Sequence, residues 1–208
     1  MFVKIDLTRK FPELDEYLSK PVTTGDVLLY GSSFFTVWGF DRVKAQLGKN
    51  VLNHGFGGST GEDQLYHYHQ LVKPYAPKSI VLRGGLNDLF NGYTPEQAAE
   101  ASIRVLEWAK ADFPDLKAIA LAIFDFKSEC DRGVVEKVAE YNRILKQHCD
   151  ELDFVDFLDI SEIFYKSPAD VGTFQNFRDI FVPDGLHLTD AGYEIVAPYF
   201  LEKIQKLF

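Results

Sequence analysis

Cysteine is scarce: 208 residues hold two, Cys130 and Cys149. Two thiols cannot build a disulfide framework or a four-ligand zinc site, so free thiols in a reducing compartment are expected. Long apolar runs are missing as well. No stretch approaches the ~20 apolar residues of a membrane span. The opening Met1-Phe2-Val3-Lys4-Ile5-Asp6 has neither an apolar h-region nor a small-residue cleavage site. A cytoplasmic protein without stable membrane insertion is the default expectation. Positive charge is in deficit, with 22 Lys and Arg against 31 Asp and Glu and a net charge of −9. With no long basic run either, nucleic acid is not expected as a partner. No Gly-Lys-Ser/Thr follows any glycine run, which excludes a P-loop. The stretch Gly55-Phe56-Gly57-Gly58-Ser59-Thr60 fails as a dinucleotide fingerprint, because Thr60 stands where the third glycine would fall.

The chain is otherwise ordinary for a globular protein, at 46% hydrophobic and 25% charged residues, and this balance excludes disorder and collagen-like structure. No repeat or linker divides residues 1–208, so a single domain is expected. Short apolar runs alternate with longer amphipathic stretches. Val27-Leu28-Leu29-Tyr30, Val51-Leu52-Asn53, Ser79-Ile80-Val81-Leu82, Ala118 to Ile123 and Phe154-Val155-Asp156-Phe157 read as strands, the continuous runs among them being typical of parallel strands covered on both faces. Thr94-Pro95-Glu96-Gln97 reads as a helix start, with Thr94 as cap, Pro95 at the first position and Gln97 closing a capping box. Val134, Val138, Tyr141 and Leu145 form one helical stripe, Leu65, Tyr68 and Val72 a shorter one, and Tyr193, Val196, Phe200 and Leu207 a last one that contains Pro198. Five such units predict an α/β protein with a parallel sheet and helices on both faces. Ligands of such sheets bind beyond the carboxyl ends of the strands, so the loops after the apolar runs are the ones to inspect.

Four loops stand out. Gly31-Ser32-Ser33 follows the first strand and leads into a helix start at Phe34-Phe35-Thr36-Val37-Trp38. Asn53 to Thr60 follows the second, Gly84-Gly85-Leu86-Asn87-Asp88 the third, and Asp184-Gly185-Leu186-His187 lies near the C-terminus. Together they supply a hydroxyl, a glycine turn, a carboxamide and a His–Asp pair. Acyl transfer needs that set. A serine hydroxyl must give its proton to a base as it attacks, and His187 is the candidate base because imidazole titrates near neutral pH. Asp184 can accept from the other ring nitrogen. Ser33 N–H, Gly58 N–H and the Asn87 side chain can hold an oxyanion. Taken singly, Ser33 is a helix cap, Asn87 a turn residue, and Gly55, Gly57 and Gly58 a turn needing positive φ. Ser32 and Ser59 are rival nucleophiles, and Asp88 is expected to tie loops together. His67 and His69, two apart on a helix, point to different faces and do not share an ion. Trp38, Phe34 and Phe35 are expected in the core or a pocket wall.

In these four blocks the sequence resembles the SGNH (GDSL-type) esterases and lipases. Gly31-Ser32-Ser33 is similar to the first block with Ser33 on the nucleophile position, Ser32 replacing the usual Asp. Asn53 to Thr60 puts Gly58 on the oxyanion glycine, Gly85-Leu86-Asn87-Asp88 puts Asn87 on the oxyanion asparagine, and Asp184-Gly185-Leu186-His187 matches the Asp-x-x-His block. The resemblance runs from about residue 25 to residue 197. It implies a flavodoxin-like three-layer α/β/α sandwich with a five-stranded parallel sheet. It also implies hydrolysis of a small-molecule ester or thioester through an acyl-enzyme, without metal or organic cofactor. Phe124-Asp125-Phe126-Lys127-Ser128 departs from the proline-rich character common after the fourth strand of the family. The long stretch Ser167 to Pro183 is expected to cover the site, with Phe174 and Phe177 binding part of the substrate. Two alternatives stay open: a carbohydrate O-acetyl esterase, and a catalytically silent flavodoxin-like binding domain.

Overall fold

Strand β1 (Val27–Gly31) is buried along its whole length, as its unbroken apolar run requires when both faces of a sheet are covered. The computed structural model describes residues 6, 8–24, 27–48 and 50–206; Leu207, expected on the last helix, lies outside them. Around β1 stand β2 (Val51–Gly55), β3 (Ser79–Arg83), β4 (Lys117–Leu121) and β5 (Val155–Leu158), all parallel, in the order β2-β1-β3-β4-β5. The helices are α1 (Pro12–Ser19), α2 (Ser33–Trp38), α3 (Phe40–Leu47), α4 (Gly61–Leu71), α5 (Leu86–Phe90), α6 (Pro95–Asp112), α7 (Val135–Asp150) and α8 (Asp190–Gln205).

The chain steps outward from β1 to β2 and then returns past β1 to β3. Crossovers between parallel strands are right-handed. The reversal of direction therefore puts α2 and α3 on one face of the sheet and α4, α6 and α7 on the other, with α8 packed beside α3. This gives three layers, and it leaves a crevice at the carboxyl ends of β1 and β3, where crossovers part to opposite faces.

The five expected strands are present, with shifted ends. The apolar run Ala118–Ile123 outlasts β4 because the Asn142 side chain replaces the ladder. Its Oδ1 accepts from Ile123 N at 2.9 Å and its Nδ2 donates to Ile123 O at 2.7 Å. The Thr94 capping box forms as expected, Thr94 Oγ1 accepting from Gln97 N at 3.3 Å and Gln97 Oε1 from Thr94 N at 2.9 Å. Helix α8 runs on through Pro198, which has no N–H to offer the Glu194 carbonyl.

Phe34, Phe35 and Trp38 are core residues. Trp38 stacks on Tyr193 at 5.2 Å and meets Phe200 edge-on at 5.4 Å, which locks α2 against α8. Burial of each such ring contributes about 2–3 kcal/mol as an upper value. Cys149 is buried and Cys130 exposed, both unpaired; burial pushes the Cys149 thiol up to about 12. Among the described residues no helix is long and apolar enough to cross a membrane.

Candidate active site

Ser33 is the first residue of α2, two positions beyond β1, with Ser32 as the N-cap. The hydroxyl of Ser33 is therefore not spent on capping. It lies 2.9 Å from His187 Nε2. His187 Nδ1 lies 2.6 Å from Asp184 Oδ2. A carboxylate oxygen accepts, so the ring proton sits on Nδ1, and Nε2 is left as an acceptor for the Ser33 O–H.

The turn that carries Asp184 and His187 is closed at its base. Val182 N donates to His187 O at 2.9 Å, and Phe181 bridges Leu188. Within it Asp184 Oδ1 accepts from Leu186 N at 2.8 Å and His187 N at 2.9 Å. Partial burial pushes the Asp184 carboxyl upward. The bonds from the His187 ring and from these two N–H groups outweigh it and hold the group below its ordinary value. Asp184 is thus ionised at neutral pH and suited to stabilise an imidazolium.

The second loop folds back over the first. Phe56 N donates to Gly31 O at 3.0 Å, and Ser59 Oγ to the same oxygen at 3.4 Å. Of the three glycines expected at positive φ, only Gly58 has it, at 76°. Gly55 answers to a different constraint: a Cβ there would stand 2.6 Å from the Phe35 side chain and 2.7 Å from Thr36 N. Asn87, in the first turn of α5, donates Nδ2–H to Ser59 O at 2.9 Å. This uses one of its two amide hydrogens and leaves the other. Ser33 N–H, at the start of α2, is one of the helix donors without an intrahelical acceptor. Three donors of the expected kind are thus held on loops that bond one another.

The rival hydroxyls are withdrawn from solvent. Ser32 is buried at the N-cap, and Ser59 is buried with its Oγ on Gly31 O. His67 packs against Phe11 and Phe56, whereas His69 stacks on Trp108. Phe177 is 6% exposed and stacks on Tyr165 at 4.4 Å, and half-buried Phe174 meets it edge-on at 5.9 Å. Phe177, Phe181, Phe164, Phe124 and Phe34 form one chain of touching rings that ends beside Ser33. Sequence reading passed over Arg83. It is 3% exposed, with its guanidinium 5.3 Å from the Phe34 ring centre and 4.5 Å from that of Phe124. Burial lowers it to about 10, so it stays cationic while fixing the ring next to Ser33.

Asp88 ties two loops, both carboxyl oxygens accepting from Gly61 N at 2.9 and 3.0 Å. Burial raises this group from 3.8 to about 7. Between those values the native protein holds a proton that the unfolded chain has released, so stability falls as pH rises from about 4 to 7. Glu129, raised by burial to about 7, acts in the same direction. Asp88→Asn keeps an acceptor for Gly61 N and removes one of the two titrations. The urea midpoint of the variant is expected to decline less between pH 5 and 8 than that of the wild type; equal declines would refute this account of Asp88.

Residues 23–195 match the model of the GDSL-like lipase/acylhydrolase family. Among solved structures, a GDSL-like lipase from Bacteroides thetaiotaomicron is similar at 18% identity with a TM-score of 0.75, over 93% of this chain and 96% of that one. A single-site variant of an acetyl-xylooligosaccharide esterase from Geobacillus is similar at 19% identity and a TM-score of 0.63, over 88% and 95% of the two chains. No curated protein matches. The structural likenesses establish the α/β fold, and the sequence match over most of the length establishes the kinship: this chain belongs to the GDSL-like lipase/acylhydrolase family and is a hydrolase acting on esters.

Proposed function

We propose that the protein is a serine acylhydrolase in which Ser33 is the nucleophile, His187 the general base and Asp184 its orienting partner. The observation that carries the reading is the unbroken line Asp184–His187–Ser33, with contacts of 2.6 and 2.9 Å. Ser33 Oγ attacks the ester carbonyl as His187 Nε2 takes its proton. The carbonyl oxygen becomes an oxyanion held by Ser33 N–H, Gly58 N–H and the free Asn87 Nδ2–H. Collapse of the tetrahedral intermediate expels the alcohol, which receives the proton from His187, and leaves Ser33 acylated. Water then gives a proton to His187, attacks the acyl-enzyme, and the acid departs as Ser33 regains its hydrogen.

For substrate we propose a small soluble ester, met in a reducing, cytoplasmic compartment that suits two unpaired thiols. The likeness to an acetyl-xylooligosaccharide esterase favours O-acetyl carbohydrate as the second class. A panel of p-nitrophenyl esters from acetate to octanoate, run beside an acetylated xylo-oligosaccharide, separates the two. A fluorophosphonate probe is expected to label one site per chain. Neither labelling nor turnover on any of these esters would point to the silent binding domain. Turnover retained in His187→Ala would count against His187 as base.

Within the loop at 167–183, Phe174 is proposed to touch the substrate and Phe177 to support it from the core. Phe174→Ala is then expected to shift KM and chain-length preference at nearly unchanged Tm. Phe177→Ala, which empties a buried ring site, is expected to lower stability by about 3 kcal/mol. Chain-length preference unmoved by both variants would remove this loop from the binding site.

A further inference from the structure

The family match begins at residue 23, yet the segment before it grips the oxyanion turn. Arg9 Nη2 donates to Gly58 O at 2.6 Å. Glu13 Oε1 accepts from Gly57 N at 3.0 Å. Tyr17 O–H donates to Gly55 O at 2.6 Å. Phe11 sits edge-on to Phe56, ring centres 5.0 Å apart. Arg9 also pairs with Asp63, whose Oδ2 accepts from Thr60 N at 2.9 Å and from Thr60 Oγ1 at 2.8 Å. Glu13 and Tyr17 lie four apart on one face of α1, and Arg9 enters just before it, so one short segment reaches every part of the turn.

The grip bears on one peptide unit. The donor Gly58 N–H belongs to the 57–58 peptide. The preceding unit is held through Gly57 N–H on Glu13, and the following one through Gly58 C=O on Arg9. Two adjacent glycines would otherwise let the middle unit rotate at little steric cost. An oxyanion donor works only if it is aimed before the charge develops.

We propose that Arg9 and Glu13 are positioning residues that fix the direction of Gly58 N–H, making the N-terminal segment a working part of the active site. This inference rests on the acyl-transfer reading above. Tyr17 braces the same turn one residue further back.

The test uses the full chain, with p-nitrophenyl acetate turnover expressed per site titrated by a fluorophosphonate. Glu13→Ala is expected to lower kcat about tenfold with KM changed less than twofold, because a misaimed donor weakens the transition state and not substrate binding. Glu13→Gln keeps the accepting oxygen, and the atom it replaces, Oε2, has no hydrogen-bond partner. It is expected to recover kcat to within about threefold of wild type. Arg9→Lys keeps the charge beside Asp63 but not the fork that reaches both Asp63 and Gly58, and is expected to lower kcat by about fivefold at constant KM. If Glu13→Ala does not fold, Arg9→Lys and Glu13→Gln decide the matter. Wild-type kcat in Glu13→Ala or in Arg9→Lys, or equal losses in Glu13→Ala and Glu13→Gln, would overturn the proposal. Ser33→Ala, run alongside, separates the failures: full turnover there sinks the acyl-transfer reading itself.

Discussion

Ser33→Ala will leave the protein folded, abolish fluorophosphonate labelling and reduce ester turnover by roughly 10⁴- to 10⁶-fold. The size of the loss follows from the position of the hydroxyl. Its contact is with His187 Nε2, and the N-cap position of the helix it begins is held by the residue before it. Removing it therefore takes away the proposed attacking atom while leaving the backbone and the core intact, and Tm is expected to stay within a few degrees. His187→Ala is expected to lose about as much, and the double variant little more, because nucleophile and base act as one unit. The outcome that sinks the assignment is retained labelling in Ser33→Ala. Peptide mapping of the label would then name Ser32 or Ser59, the two buried rival hydroxyls.

The strands were readable because burial on both faces writes itself as a continuous apolar run, as in Val27–Tyr30 and Ser79–Leu82. Where the run and the strand part company, at Ile123, the cause is a side chain 19 residues later, Asn142, which no local pattern announces. The candidate site was readable for a related reason. Parallel sheets deliver their loops to one edge, so residues far apart in sequence that each follow a strand are candidates for one crevice. Helix α1 was not readable. Only Leu14 of its eight residues is buried, leaving no apolar stripe to see; what holds it is the packing of Leu14 and Tyr17 together with polar contacts to a distant turn. The aromatic residues failed as a signal in the opposite way. Phe177 and Phe174 are neighbours in a loop of one character, yet one is core and the other half-exposed, and composition carries no direction. Glycine was similarly ambiguous, since Gly58 is needed for its dihedral angle and Gly55 for closeness to Phe35.

Asn87→Ala is expected to lower kcat by 10²- to 10³-fold, about 3–4 kcal/mol in the barrier, with KM within a few-fold of wild type. In the proposed mechanism the carboxamide has two tasks, and stability and rate report on them separately. One amide hydrogen holds Ser59 O at 2.9 Å and so ties α5 to the glycine turn; the other is the one proposed to meet the oxyanion. Asn87→Ala loses both, and Asn87→Asp does too at unchanged size, because an ionised carboxylate has no hydrogen to give. The two variants should therefore lose comparable stability through the Ser59 contact. They should differ in rate. A carboxylate beside a developing oxyanion repels it, so Asn87→Asp is expected to be slower than Asn87→Ala despite its closer shape. If Asn87 served only to anchor the loop, kcat would follow stability and the two variants would turn over alike. A loss below about tenfold in Asn87→Ala would remove the side chain from the oxyanion hole, leaving Ser33 N–H and Gly58 N–H to carry the charge between them.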